Sequence, residues 1–512
     1  MLEQAEKGSP EYWVESQPNA VAVVSGDQKM TYQEWNDQAN RVADSLLAQG
    51  LKAGDRIGMR FRLGFAWFIT QRALQKLGVV QVAVNWKLTP SEAMYILEDS
   101  GARGLACDDK DVSEWGELDL GLLITVNQKP ESVGHRLEDL IKDGKPSPRF
   151  GPLRANLILY TSGTTGAPKG VAPPDQGSID LERLKKYGAS VASKPSMPIG
   201  CVMLMSLPVH HGAGAVSATS ICASGGTAVL LDPYSPEEAL RLIEDHKVQA
   251  WVSVPTMLLR IQALPEEIFQ RYNTSSIESL NVGAAVVPFT LKQWIIGNIG
   301  LVLWEAYGAS EAGMIACIAP DDQLRKPGSS GRPYDGVEID IVDEDWNRLA
   351  VGETGEIAVD TPMVLKGYLG REALSEDSLK DGFYRTGDVG HLDEDGFLFI
   401  TDRIKDMIVA GGVNIYPAEI EKVILGNTHI QDCAVIGIPN DDFGEQPIAF
   451  VVKRSGTELS ADELLDYLKQ QLASFKLPRK IEFVDELPMS PMGKVLKKEL
   501  RAPYWEGRER SV

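Results

Sequence analysis

The sequence predicts an α/β protein: a large N-terminal part of layered sheets and helices, a small β-barrel-like unit, then a small α+β unit. Three observations predict it. Apolar runs recur near 202–209, 227–231, 251–254 and 301–304, with helical patterns such as 236–246 between them. Such runs suit strands buried on both faces of a parallel sheet. From about Gly328, glycines 331, 336, 352, 355 and 367 punctuate short β-like runs, as in a small barrel or sheet. After Asp402-Arg403, strand-like runs near 433–438, 448–452 and 480–483 alternate with helical patterns.

Residues 1–150 alternate helix and strand. Thr31-Tyr-Gln-Glu34 is a capping box, so a helix begins there and runs to about Gly50. Gly54-Asp55 then turns into a strand near 56–61. In the last unit Tyr416-Pro417 opens a helix to about Gly426, with proline in its first turn. Ser460-Ala-Asp-Glu463 caps another, expected to reach about Ser474. A basic helix-like tail ends at Arg501. No internal repeat or low-complexity segment interrupts the pattern.

At 512 residues the chain holds more than one domain. The net charge of −21 argues against nucleic acid and anionic membranes as partners. A nucleotide site would still need a local basic patch. Five scattered cysteines without a CxxC pair suggest neither a disulfide framework nor a zinc site, and fit the reducing cytoplasm. The polar, acidic start lacks the apolar segment of a signal peptide. No run of 18 apolar residues appears, so no membrane span is expected.

The most informative segment is Tyr160-Thr161-Ser162-Gly163-Thr164-Thr165-Gly166-Ala167-Pro168-Lys169-Gly170. Three glycines let backbone N–H groups close around an anion, and hydroxyls and Lys169 add donors and charge. A polyphosphate suits such a loop, and a plain Ser/Thr/Gly surface loop is the alternative. It is not a P-loop, which needs Gly-Lys followed by Ser or Thr. Tyr307-Gly-Ala-Ser-Glu311 offers an aromatic ring for a base and a carboxylate for Mg²⁺. In Tyr384-Arg-Thr-Gly-Asp388, the carboxylate can accept two ribose hydroxyls or close an Asx-type turn. His210-His211 lacks the further ligands of a metal site. Gly411-Gly412 before a helix permits close backbone approach by a ligand.

In this order, across about 160–500, the motifs resemble those of the AMP-forming acyl-adenylating enzymes: acyl-CoA synthetases, peptide-synthetase adenylation domains and firefly-type luciferases. A fatty or aryl acyl-CoA synthetase is the nearest likeness. The resemblance implies an N-terminal nucleotide- and acid-binding domain at 1–401, a hinge at 402–405 around Lys405, and a mobile domain at 406–512. It makes Tyr307 the adenine platform, Glu311 with Thr164 the metal ligands, and Asp388 and Arg403 the ribose contacts. Lys494, in Pro491-Met492-Gly493-Lys494, becomes the lysine that enters the site for adenylation only. His211 lies over the acid, and Gly411-Gly412 helps line the pantetheine tunnel. Around the nucleotide the resemblance also sets Thr161, Ser162, Gly163, Thr164, Thr165, Gly166, Lys169, Gly283, Ala284, Ala285, Glu305, Ala306, Gly308 and Ser310. Around the acid it sets His211, Gly212, Ala213, Gly214, Ala306, Gly308 and Ala312; Lys494, His211 and Lys169 are the catalytic set. One departure is Ala172-Pro173-Pro174-Asp175, where many members carry a hydrophobic-polar run with a histidine; it puts the usual helix start there in question.

The expected activity is ATP- and Mg²⁺-dependent joining of a carboxylic acid to coenzyme A, through an acyl-adenylate. The pocket segments around 211–215, 281–285 and 306–314 are rich in Gly and Ala with few charges. They suit a fatty, aromatic or alicyclic monocarboxylic acid. No carrier-like segment follows Lys494, which favours free CoA over a carrier protein as acceptor. A stand-alone enzyme loading a carrier, and a non-catalytic nucleotide-binding protein, are the alternatives. A homodimer is left open.

Overall fold

The computed structural model describes residues 9–116, 120–151, 157–161, 168–171, 180–285, 287–371, 373–410, 413–440, 443–454, 456–490 and 494–506. Two large sheets build the N-terminal part. The nine-stranded sheet runs Arg332–Pro333, Gly313–Ile318, Leu303–Ala309, Ser279–Gly283, Ala250–Ser253, Val202–Met205, Thr227–Leu230, Val21–Ser25, Gln28–Thr31. Its interior pairs are parallel, and antiparallel strands close both edges. The seven-stranded sheet runs His135–Arg136, Leu122–Thr125, Gly104–Cys107, Arg56–Arg60, Val80–Ala83, Leu157–Thr161, Lys169–Val171. It is parallel except for its last pair.

Side chains alternate across both sheets and so define the layers. Met203 and Met205 point to the core that holds Trp35, Leu46, Phe68 and Leu74, while Leu204 points to the core under Leu240 and Leu291. Ala106 and Ile124 of the other sheet reach the first core, and Leu105 and Leu123 a third one beneath Ile96 and Leu97. Helices Tyr32–Ala48 and Phe65–Lys76 are therefore sandwiched between the sheets. Helices Pro236–His246, Pro255–Gln262 and Phe289–Asn298 cover one outer face, and Pro90–Ser100 the other.

The barrel-like unit is an antiparallel sheet of five strands: Glu338–Val342, Gly355–Asp360, Phe383–Leu392 and Leu379–Lys380, with Leu398–Arg403 paired to Phe383–Leu392. The last unit is a five-stranded sheet of Val413–Ile415, Ile408–Ala410, Gly444–Lys453, Ile430–Asn440 and Lys480–Phe483. Helices Pro417–Leu425 and Ala461–Lys469 pack on it through Ile420, Ile424, Leu464 and Leu468.

Local signals place both helix starts expected from capping boxes. Thr31 accepts from Glu34 N–H at 3.2 Å while Glu34 accepts from Thr31 N–H at 2.8 Å. Ser460 and Glu463 repeat the exchange. Three expectations shift. The strand expected at 301–304 is Leu303–Ala309, so Tyr307 and Gly308 are strand residues. The helix capped by Ser460 stops at Lys469 rather than near Ser474, and Leu472 and Leu477 then turn onto the sheet core. The strand Val413–Ile415 stands between Gly411-Gly412 and the helix that begins at Pro417. The segment 172–179, where the family pattern departs, lies outside the described residues.

One charged group is locked in the sandwiched layer. Glu11, from helix Pro10–Ser16, accepts from Arg72 and, at 2.6 Å, from Lys76; all three are buried. Lys76 also donates to Asn36 Oδ1 at 2.9 Å and Arg149 O at 2.7 Å. Burial would raise the Glu11 pKa, but Arg72 and Lys76 outweigh it and hold the group below the usual carboxylate range. Burial pushes Lys76 down to about 8 against the pull of Glu11. Glu11→Ala leaves two buried cations unpaired and should cost about 3–5 kcal/mol, read as a lower urea midpoint. In the native chain the Glu11 contribution is complete above the ordinary glutamate pKa and fades as pH falls through its lowered folded value.

Candidate active site

Parallel α/β sheets bind ligands at the carboxyl ends of their strands, and the candidate residues gather there. His210 and His211 follow Val202–Met205; Ala284 and Ala285 follow Ser279–Gly283; Ser310 and Glu311 follow Leu303–Ala309. Thr161 ends Leu157–Thr161, and Lys169 opens the antiparallel return strand opposite it. Ser162, Gly163, Thr164, Thr165 and Gly166 between these strands lie outside the described residues, as do Gly411 and Gly412. The base of the hairpin is strapped down: Gly170 O accepts from Leu369 N–H at 2.9 Å, and Pro168 O from the Tyr95 hydroxyl at 3.2 Å.

Asp388 is the densest junction. It is 7% exposed, and its two oxygens accept from the Tyr307 hydroxyl at 2.6 Å and Arg403 Nε at 2.7 Å. Burial first, then the Asp388 charge, raises the Tyr307 phenol well above its ordinary value, so it stays a donor. Gly387 has a left-handed φ of 73°, which lets the chain turn and present Asp388. Three of the proposed nucleotide contacts thus meet at one carboxylate.

A second group surrounds Glu311. The Tyr368 hydroxyl donates to Glu311 Oε1 at 3.3 Å, and the Lys169 ammonium lies 5.0 Å above the Tyr368 ring. Burial and then Glu311 push the Tyr368 phenol up to about 12. No cluster of three or more His, Cys, Asp or Glu suited to a metal exists among the described residues. A lone carboxylate still fits Mg²⁺, which takes one or two protein carboxylates and completes its shell with phosphate oxygens and water. Sequence reasoning missed Tyr368: a single tyrosine after Lys366-Gly367 carries no phosphate signal, and only the fold brings it to Glu311.

Lys494 faces the same cleft. Its N–H donates to Ser490 Oγ at 3.0 Å, and its carbonyl accepts from Ser490 N–H at 2.7 Å. Burial, Arg403 and Lys405 push its ammonium below the ordinary lysine value, while Asp388 and Glu311 pull it back. The residue keeps exposed surface, so this is the dehydration of a crowded open cleft that water still screens. Its charge also reaches His211, which burial first and Lys494 second push down to about 4. His210 is 7% exposed and lies 4.7 Å from His211, ring to ring. Burial, His211, Lys87 and Arg60 push it down to about 3. Among the described residues, neither nitrogen of His210 nor Nε2 of His211 has a partner. Buried polar atoms left unpaired cost free energy, so a ligand that reached these rings would gain by pairing with them.

Other candidates fare differently. The Glu305 side chain is spent on a buried ion pair with Lys292 at 2.9 Å. Burial pushes its carboxyl up against the pull of Lys292. Ala284 holds a left-handed φ of 69°, a strain of about 1 kcal/mol of the kind that collects at functional loops. Ala312 is sealed in the core beside Ile315 and gives its carbonyl to Thr361 at 2.6 Å. Gly214 is small because a Cβ there would collide with the Pro208 carbonyl, and Gly308 because one would meet the Gly313 carbonyl. Gly212 and Ala306 are half-buried, and Ala213 and Ser310 are exposed.

The family described as AMP-binding enzyme matches residues 10–369, and its C-terminal domain matches 419–494. A fatty acid–[acyl-carrier-protein] ligase, ScoC, of Streptomyces coeruleorubidus is 32% identical over 98% of this chain and 96% of its own. A feruloyl-CoA synthase of an Amycolatopsis species is 34% identical over 95% and 96%. The o-succinylbenzoate CoA synthetase MenE of Bacillus subtilis, solved with its acyl-adenylate intermediate, superposes with a TM-score of 0.81 at 29% identity over 98% of both chains.

Two histidines held neutral down to about pH 4 give a direct test. Of the six histidines, His210 and His211 should show no imidazole titration between about pH 5 and 8 by NMR. Assignment of a midpoint near 6.5 to either one would contradict the burial described.

Proposed function

We propose a reaction for this chain from one premise: the chain belongs to the AMP-binding enzyme family. It is an AMP-forming carboxylate–CoA ligase that uses ATP, Mg²⁺ and coenzyme A. The acid is a hydrophobic monocarboxylic acid with a fatty, aromatic or alicyclic body. The observation that carries the reading is the meeting of Tyr307 and Arg403 on the Asp388 carboxylate, with Lys494 within charge reach of Asp388, Glu311 and His211.

In the first half-reaction the acid's carboxylate oxygen attacks the α-phosphorus of ATP, and pyrophosphate leaves. The obstacle is repulsion between anions, so the protein works by positioning and charge. Tyr307 presents its ring to the base, and Asp388 with Arg403 holds the ribose. Lys169 and the loop before it hold the phosphates. Glu311, with Thr164, would hold Mg²⁺, which when bound neutralises phosphate charge. Lys494 supplies the last positive charge where carboxylate and α-phosphate meet. Neutral His211 offers a hydrogen bond over the acid without adding charge.

In the second half-reaction the thiol sulfur attacks the acyl carbonyl, its proton leaves, and AMP departs. A free thiol has a pKa near 8.5, so little activation is required at neutral pH. Between the two, the domain at 406–512 turns about Lys405, in the hinge at 402–405, relative to the domain at 1–401. Lys494 leaves, and the face carrying Gly411-Gly412 arrives. Four described sheets divided at this point support the division. The enzyme works in the cytoplasm, in keeping with five buried free cysteines, as a monomer or a homodimer.

A second acceptor is favoured by one finding: the carrier-protein ligase ScoC covers the chain as fully as the CoA ligases do. Pyrophosphate release over a panel of fatty, aryl and alicyclic acids, with and without CoA, separates the readings. CoA-dependent turnover with AMP as product supports the CoA ligase. Adenylation indifferent to CoA supports carrier loading. Lys494→Ala should cut pyrophosphate exchange at least about 100-fold, the scale for losing a preorganised charge in a transition state, and spare thioester formation from supplied acyl-adenylate. Lys405→Pro should do the reverse, slowing thiolation more than adenylation; equal effects on both steps would count against the switch.

A further inference from the structure

Asp402 stands where two units of the chain meet. It belongs to strand Leu398–Arg403 and lies opposite Val389, so the five-stranded antiparallel sheet fixes its backbone. Its carboxylate crosses to the other unit. Oδ2 accepts from Ala418 N–H at 2.8 Å, in the first turn of helix Pro417–Leu425. Oδ1 accepts from its neighbour Arg403 N–H at 2.7 Å. The residue is 6% exposed. Lys497, ion-paired with Glu421 at 2.7 Å, faces it from the helix that follows Lys494.

A buried carboxylate is costly unless its neighbours compensate it. Burial pushes Asp402 up to about 6 even though Lys497 pulls it down. Much of that compensation comes from across the junction, from Ala418 N–H and Lys497. Arg501 is different: it donates to Asp406 at 2.8 Å and to the Lys405 carbonyl at 3.1 Å, at or beyond the pivot, so it can travel with the C-terminal unit. Any turn about Lys405 leaves Asp402 in its sheet and carries Ala418 and Lys497 away.

We infer that Asp402 is a positioning residue for adenylation, holding the C-terminal unit in the arrangement that keeps Lys494 in the cleft and letting go when that unit turns. The inference rests on the roles proposed above for Lys494 and Lys405. It acts through Ala418 and Lys497 and touches no reacting atom. A contact made in one arrangement and absent from the other shifts the balance between them by its differential free energy.

The test measures the two half-reactions separately in the full chain: ATP–pyrophosphate exchange, and thioester formation from supplied acyl-adenylate and CoA. Asp402→Ala should lower exchange about tenfold, the scale for losing a hydrogen bond to a charged group, and leave thioester formation unchanged or faster. Asp402→Asn keeps an acceptor for Ala418 N–H and should recover most of the exchange. Equal loss in both half-reactions, or undiminished exchange in Asp402→Ala, overturns the inference. Lys494→Ala run alongside tests the underlying reading by itself. If that variant fails to split the half-reactions, hydrogen exchange still tests the latch. Asp402→Ala should speed exchange in the first turn of Pro417–Leu425 and around 494–501, with Ile430–Asn440 unchanged. Unaltered exchange around 494–501 overturns it.

Discussion

The carboxylate of Asp388 is the point on which the site depends. It joins Tyr307, at the end of a strand of the nine-stranded sheet, to Arg403, the last residue of the antiparallel sheet before the chain enters its third unit. One buried acceptor with two donors from different sheets fixes their relative position more firmly than apolar packing, which tolerates sliding. In the proposed reaction the same carboxylate also receives the ribose hydroxyls. A sugar that takes over its lone pairs must compete with Tyr307 and Arg403 or share with them. On that proposal, sugar binding and the mutual placement of the two sheets are linked through one side chain.

The second constraint is topological. Parallel strands deliver their carboxyl ends to one edge, so loops far apart in sequence arrive together without any local signal between them. This is why the order of elements was legible and the contacts less so. The capping boxes at Thr31 and Ser460, and the apolar strand runs, are encoded within a few residues. The approach of Tyr368 to Glu311, 57 residues away, is not. Nor is the reach of Asp402 to Ala418. The early stop of the Ser460 helix belongs to the same class, since the core that claims Leu472 is built by distant strands.

Small residues were the most ambiguous signal. A glycine or alanine in a pocket segment is consistent with room for a substrate and equally with close approach of the chain to itself. The structure separates these cases. At Gly214 and Gly308 a neighbouring carbonyl occupies the space, and Ala312 is closed inside the core. At Ala284 the backbone is strained and the residue exposed. The histidine pair adds a polar case: among the described residues, neither nitrogen of His210 nor Nε2 of His211 has a hydrogen-bond partner.

Only residues 404–407 connect the strand ending at Arg403 to the strand beginning at Ile408. Under the proposed turn, such a tether makes the return of Lys494 to its cleft an intramolecular event. Short linkers give effective concentrations of about millimolar. In that proposal the departing ammonium remains a standing competitor for the place it vacates, whatever the protein concentration. The dwell time of each arrangement is then set by local contacts on either side of the tether, and free amines in solution would have to approach millimolar levels to take the place of Lys494.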